Sequence, residues 1–324
     1  METSTSFGNA EMQRILYSDD PPLAELPVFE PVKDSPSSDG EEVTQSLISI
    51  DPKTRAVEAA CRAGNADGAF AHVQHSLQTG TDPQDFQGCL TVAAQSGQEG
   101  LVQMLLSAGV LASQWAVKAA IKQDSVALLS LFLEHGWNIN EQEAWCLPPL
   151  LSFAIHSKAS ESTIAWFLSN GADPNAICQM DITPLSVAVA VARYSVVEQL
   201  FTHCPATTVF RGQLLHHAAG RDVPEDCDMI LRLVLRRCQL DVNAIMYQDH
   251  CFSYEVCKIV GLGTALHEAA RTGRLSTVHT LIAHGADISV RDSLGNTALE
   301  VAEREHNLTV AEELRRLVSS IQYI

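Results

Sequence analysis

One period constrains this chain more than any other feature. An apolar residue opening a short helical pattern returns at Val57, Leu90, Val117, Leu151, Leu185, Leu215, Leu266 and Leu299, at spacings of 33, 27, 34, 34, 30, 51 and 33. A recurrence near 33 residues with two helical patterns inside each unit is the mark of stacked helix–turn–helix repeats. The unit is clearest in GTALHEAARTGRLSTVHTLIAHGAD, Gly263 to Asp287. Leu266, Ala269 and Ala270 fall at helical spacing before Gly273, and Val278, Leu281 and Ile282 do so before Gly285. The Thr264 hydroxyl is placed to accept from the unpaired amides of the first turn. Each helix has about ten residues, and isolated helices below roughly 12–15 residues are marginal in water. Neighbouring repeats must therefore bury one another's apolar faces.

The motifs GTALHEAARTG, ITPLSVAVA (from Ile182), GNTALEVAE (from Gly295), SNGADPNA (from Ser169) and AHGADISVRD (from Ala283) resemble those of ankyrin-repeat proteins. They stand where that family has G-x-T-P-L-H-x-A-A-x-x-G and G-A-D-x-N-A. The divergent outer repeats and irregular insertions resemble fungal multi-repeat members. The resemblance runs from Thr54 to the end, strongest in the last two repeats and in Cys146 to Val191. It implies an all-α ankyrin-repeat solenoid of about eight helix–turn–helix repeats over residues 54–324. Ala93, Ala94, Ala218, Ala219, Ala269 and Ala270 then let inner helices approach closely. Gly109, Gly136, Gly171 and Gly285 sit at helix C-termini, where a left-handed residue is cheap only for glycine. Cys204 and Cys238 stand at that position in two repeats, so their outer turns should differ.

Residues 1–53 are of another kind. Eleven acidic side chains face three basic ones there, so this stretch holds −8 of the net −18, along with six of the thirteen prolines. Such a composition predicts a disordered acidic arm. Within it, Pro21 to Phe29 (PPLAELPVF) reads either as linker or as a short docking motif. Complementary charge suggests weak self-contact between arm and repeats. Nine cysteines, none in C-x-x-C spacing, fit a reducing compartment, cytoplasm or nucleus. No apolar run of 18 residues predicts a membrane span.

Chemistry-bearing motifs are scarce, and no catalytic residue, cofactor or metal is assigned. The phosphate-loop, G-x-S-x-G and H-E-x-x-H patterns do not occur, and GLGTAL at Gly261 holds only part of a dinucleotide fingerprint. His216 and His267 occupy the family's T-P-L-H position, which implies local hydrogen bonding. The 51-residue spacing exposes an insertion at about 245–261, IMYQDHCFSYEVCKIVG. Asp249, His250, Cys251 and Cys257 there could in principle hold zinc, although Cys-x5-Cys is an unusual ligand spacing. A hydrophobic flap over the groove, contacting ligand through Met246, Tyr247, His250, Phe252 and Tyr254, is the favoured reading, with a plain insertion as the other.

If the family register holds, the residues after each alanine pair face the groove. Arg62, Gln95, Ser96, Lys122, Gln123, His156, Ser157, Arg221, Arg271, Thr272 and Arg304 are the candidate partner-binding residues. Their positive charge suits an anion-facing surface and a protein partner with an acidic motif; the helix dipole's preference for C-terminal cations explains part of it. A net charge of −18 argues against nucleic acid. The resemblance implies a non-catalytic protein-interaction scaffold. The alternative is a small-molecule site on the solenoid, as an accessory protein or an unusual cyclase or isomerase of a metabolic, for example secondary-metabolite, pathway.

Overall fold

The computed structural model describes residues 52–321 apart from Asp222; the arm, its Pro21–Phe29 segment and the self-contact expected of it lie outside the described residues. Along the described chain run α1 (Pro52–Arg62), α2 (Ala66–Gln78), α3 (Gln87–Gln95), α4 (Glu99–Ser107), α5 (Gln114–Lys122), α6 (Val126–Glu134), α7 (Leu151–His156), α8 (Glu161–Ser169), α9 (Pro184–Val191), α10 (Tyr194–His203), α11 (Leu214–Ala219), α12 (Cys227–Arg237), α13 (Cys251–Cys257), α14 (Ala265–Thr272), α15 (Leu275–Ala283), α16 (Ala298–Arg304) and α17 (Leu308–Ile321). Among the described residues there is no strand, only isolated bridges at Ala144–Leu147 and Arg291–Thr297.

The chain falls into two compact units. Within the described residues, the first comprises 52–139 and 159–170, and holds α1–α6 and α8; the second comprises 140–158 and 171–321, and holds α7 and α9–α17. In the first unit the inner helices α1, α3 and α5 pack in order, with α2, α4 and α6 as the outer layer. In the second, α7, α9, α11, α14 and α16 form the inner row and α10, α12, α15 and α17 the outer. The insertion does not interrupt this row, because α11 packs directly on α14.

The period places the core. Val57, Leu90, Val117, Leu151, Leu185, Leu215 and Leu266 are buried, while Leu299 in the last described pair is half-buried. Buried Ala93, Ala94, Ala218, Ala219, Ala269 and Ala270 provide the close approach of inner helices. Starts are set by side-chain caps: Ser113, Ser125 and Ser160 each accept an amide of their first turn. Thr183 with Ser186, Thr264 with His267 and Thr297 with Glu300 form reciprocal capping boxes. Outer helices ending at Gly109, Gly136, Gly171 and Gly285 turn through positive φ. Those ending at Cys204 and Cys238 leave in extended conformation instead, at φ −84° and −115°. The altered outer turn expected from the missing glycine is present in both repeats.

Candidate functional site

Each repeat has two ends: the turn joining inner to outer helix, and the longer loop that precedes the inner helix. The residues picked out by sequence lie at the turns, and the structure gives many of them intramolecular work. Arg221 is fully buried, its guanidinium donating to the Val189 carbonyl, to Ala192 O at 2.9 Å and to Glu225 O at 3.4 Å. It is therefore unavailable to a partner, contrary to the sequence expectation. The cause is the lengthened turn after it, where Asp226 adopts φ 62° and accepts the Tyr194 amide at 2.9 Å, folding the chain over the guanidinium. Gln123 donates to Ala94 O at 2.6 Å, and Thr272 to Glu268 O at 3.0 Å within its own helix.

The remaining cations there are largely neutralised. Arg62 pairs with Glu58 at 3.4 Å, Arg271 with Glu268, and Arg304 with Glu305 at 3.1 Å. Gln95, Ser96, Lys122 and Ser157 are exposed; His156 is half-buried, its pKa lowered by burial and then by Lys158. Three positions that the sequence reading passed over, Gln98, Asn307 and Asp124, do the same kind of work. Gln98 donates to Cys61 O at 2.7 Å, Asn307 to Ala270 O and Arg271 O at 2.9 and 2.8 Å, and Asp124 accepts the Ser160 amide at 2.8 Å.

The loop ends of the second unit are built differently. Trp145, Ile177, Val209, Phe252, Val256, Ile259 and Leu294 are all exposed on them, Val209 and Ile259 to 77% and 76%. Hydrogen bonds lace successive loops together. Gln179 N donates to Trp145 O at 2.9 Å, Asn175 Nδ2 to Val209 O at 3.0 Å, Asn243 Nδ2 to Gly285 O at 3.1 Å, and Leu262 N to Ser293 Oγ at 2.8 Å. Backbone tied in this way holds its apolar side chains in place. Trp145, Ile177, Val209, Ile259 and Leu294 recur at spacings of 32, 32, 50 and 35, in step with the helix anchors. That upstream apolar residue was the available signal for this row.

The insertion belongs to this loop surface. It carries helix α13 and a 3-10 turn, Lys258–Val260. Of its predicted ligand contacts, Met246 and Tyr247 are buried, which corrects their assignment to a flap surface. Burial pushes the Tyr247 phenol far above its usual range. Its backbone at φ 62° donates to Gln213 Oε1 at 3.0 Å, and Gln213 Nε2 in turn donates to Asp181 Oδ2 at 2.6 Å. Phe252 stands edge-on to Trp145 with centroids 6.1 Å apart, and Ser253 Oγ lies 3.9 Å from Met180 Sδ. The segment thus folds back over the loops of preceding repeats. Tyr254 and His250 are half-buried, and the Ser253 amide donates to His250 Nδ1 at 3.3 Å. Among the described residues, no three His, Cys, Asp or Glu side chains gather as a metal site.

A half-open cavity of about 360 Å³ lies between this segment and the loop of the repeat before it, lined by Val209, Phe210, Arg211, Leu214, Leu215, Leu240 and Ile245 together with Asp181, Asp241, Asp249, His216 and His250. His216 Nε2 bonds Ala244 O at 2.9 Å, and burial lowers its pKa. His267 accepts the Thr264 amide on Nδ1 at 3.0 Å and bonds Asn296 O through Nε2 at 3.1 Å; its pKa is lowered by burial too. Both histidines of the T-P-L-H position thus bond backbone of the following loop, and His267 also holds the start of its own helix, so the local bonding expected of the position is present only at His267. His217 beside them is pushed down to about 4 by burial and by His216.

Residues 215–321 match the family model for ankyrin repeats, in three copies, and the chain carries these repeats. It is 33% identical over 90 residues to an ankyrin repeat protein of fowlpox virus (strain NVSL), covering 28% of this chain and 18% of the viral protein. It is 42% identical over 53 residues to the ARF GTPase-activating protein Git of Drosophila melanogaster, covering 16% and 7%, and 37% identical over 59 residues to the human Espin-like protein, covering 18% and 6%. The chain therefore spans less than a fifth of each of these relatives. A solved structure of the ankyrin repeat domain of Bcl-3 aligns with 80% of this chain and 97% of its own, at 23% identity and a TM-score of 0.45. Among the described residues no helix is long and apolar enough to cross a membrane.

Proposed function

We propose that this chain is a non-catalytic scaffold whose second unit docks a protein partner of positive charge on its loop ends, rather than an acidic one on its turn ends. One observation carries the reading: five successive loops of that unit expose apolar side chains in step with the repeat. Clustered apolar exposure of this kind marks interaction surfaces in soluble proteins. Trp145 and Phe252 supply aromatic anchors of the type enriched at binding hot spots.

Charge selects the partner's sign. On these loops Glu141, Asp173, Asp241, Asp249, Glu255 and Asp287 are exposed, against Arg211, Lys258 and Arg291. Lys258 pairs with Glu255 at 2.6 Å and Arg291 with Glu300 at 3.3 Å, so two of the three bases are already matched. Complementary charge steers association and suppresses wrong partners more than it adds affinity. The arm, at −8, carries the wrong sign for this surface. The small-molecule alternative would draw on the cavity, where His216 Nε2 and His250 Nδ1 are already bonded to backbone.

A selection from a random peptide library, with the full chain as bait, tests the reading. Enriched peptides should combine net positive charge with apolar residues and lose binding to Trp145→Ser and Phe252→Ser. Acidic enriched peptides, or peptides indifferent to both substitutions, would overturn it.

A further inference from the structure

We propose that the cavity beside the loop row is a socket for one unbranched alkylammonium group, in a bound partner a lysine side chain; the partner's lysine rests on the docking reading above, whereas the socket itself does not. Asp181 supplies the counter-charge. It lines the cavity, is only 5% exposed, and no cation among the described residues lies within ion-pair distance of it. Its carboxylate is held by Gln213 Nε2 at 2.6 Å on Oδ2 and by the Gly212 amide at 3.4 Å on Oδ1. Hydrogen bonds of this kind fix the carboxylate's direction without cancelling its charge. A buried carboxylate is costly unless paired, so a cation entering beside Asp181 recovers what the free protein forgoes.

The rest of the lining fits a chain that ends in charge. Leu214, Leu215, Leu240 and Ile245 offer apolar wall for a methylene stem, and Asp241 and Asp249 add two exposed carboxylates to the buried one. Arg211 is the one fixed cation on the lining among the described residues, so the site keeps a negative balance. At about 360 Å³ the cavity is at the small end of the ~300–1,000 Å³ typical of ligand sites, which suits one side chain better than a cofactor. An ammonium is favoured over a guanidinium because each Asp181 oxygen already accepts one bond. A planar fork needs both oxygens in one line, whereas a compact ammonium needs a single free lone pair.

The probe is n-pentylammonium chloride, with pentan-1-ol as its neutral isostere, titrated into the full-length protein and followed by amide shifts at constant ionic strength. Saturable shifts are expected at Ala244, Ile245 and Gln248, with the alcohol at least about tenfold weaker. Asp181→Asn should abolish the preference for the ammonium, Asn being tolerated at the left-handed φ of 54° found there. Equal binding of amine and alcohol, or no saturable shift in the wild-type protein, overturns the proposal without recourse to any variant. Phe252→Ser should leave pentylammonium binding unchanged. If amine binding fails while library peptides still depend on Phe252, the socket falls and the docking surface stands. If the amine binds but no peptide does, the docking reading falls instead.

Discussion

The two ends of the repeats in the second unit share a period and a backbone plan, yet they are finished in opposite ways. At the turn ends, polar side chains reach across to carbonyls at the helix ends of the preceding repeat, as Arg221 does to Val189 and Ala192 and Asn307 to Ala270. At the loop ends, short polar side chains such as Asn175, Asn243 and Ser293 tie one loop's backbone to the next, and Val209, Ile259 and Leu294 are left with water on their apolar faces. Helix C-termini carry unsatisfied carbonyls that must find donors, so polar residues there are occupied before any partner arrives. Loop ends meet their backbone needs with a few short polar side chains and keep their apolar ones for recognition. A charged residue at a regular position is thus a weaker sign of a binding surface than an apolar residue that the fold leaves uncovered.

The contrast can be broken most severely at Arg221. Arg221→Ala should cost about 3–5 kcal/mol, because at least two buried carbonyls lose a charged donor and a cavity replaces the side chain. Arg221→Lys should recover only part, since a single ammonium cannot reach Val189 and Ala192 in one plane as the guanidinium does. Chemical denaturation reads both variants; a loss below about 1 kcal/mol for the alanine would place Arg221 among ordinary surface cations.

Acid should weaken the same helices by a somewhat smaller amount. His217 is held neutral, with a folded pKa of about 4 against 6.5 for the exposed imidazole of the unfolded chain, and His216 and His267 are shifted in the same direction. A base whose folded pKa is depressed gives its full stabilisation above the unfolded pKa. That stabilisation is lost as pH falls from about 6.5 towards 4, at about 1.4 kcal/mol per unit for His217. The unfolding midpoint should fall steeply over this window, and His217→Gln should flatten the slope. Hydrogen exchange at low pH should quicken first in α11 and α14, with the laced loops following; loops opening first would reverse the contrast.

How much of this was legible in the sequence differs between the two ends for a physical reason. The anchors from Val57 to Leu266 were readable because burial along a helix follows a local period. The cap at Thr264 was readable because capping acts over three residues. Arg221 was misread because its burial depends on the path of the turn through Asp226, which no periodicity encodes. Met246 and Tyr247 were placed on a surface because an insertion has no partner strip in its own sequence; their partners, Gly263 and Gln213, lie 17 and 34 positions away. The loop row carried a period of its own, but an exposed apolar residue looks like a core residue until the core is known to be full.

Asn307 tests the turn ends at lower amplitude. Its amide donates to both Ala270 O and Arg271 O, in a half-buried setting where water can partly replace it. Asn307→Ala should cost about 1–2 kcal/mol, with the loss confined to α14–α17 because repeats feel mainly their neighbours. A denaturation change spread evenly over the chain would argue that the turn bonds are not what couples one repeat to the next.

The smallest effect on stability is expected at the loop ends, and it bears most directly on function. Ile259 is 76% exposed, follows the buried Cys257 by two positions, and sits in a 3-10 turn whose Lys258 carbonyl accepts from Ser293 Oγ at 2.6 Å. Since its side chain has little contact to lose, Ile259→Ser should change stability by no more than about 0.5 kcal/mol, as for other surface substitutions. Binding is another matter, because a partner that covers the row would remove most of that exposed side chain from water, a contribution of about 1.5–3 kcal/mol for a fully buried isoleucine. Ile259→Ser should therefore weaken a selected peptide about tenfold or more while leaving the denaturation curve in place. A turn-end control such as Gln95→Ser should move neither quantity. If Ile259→Ser destabilised the fold as Asn307→Ala does, the side chain would be packed rather than presented, and the division between structural and recognising ends would have to be redrawn.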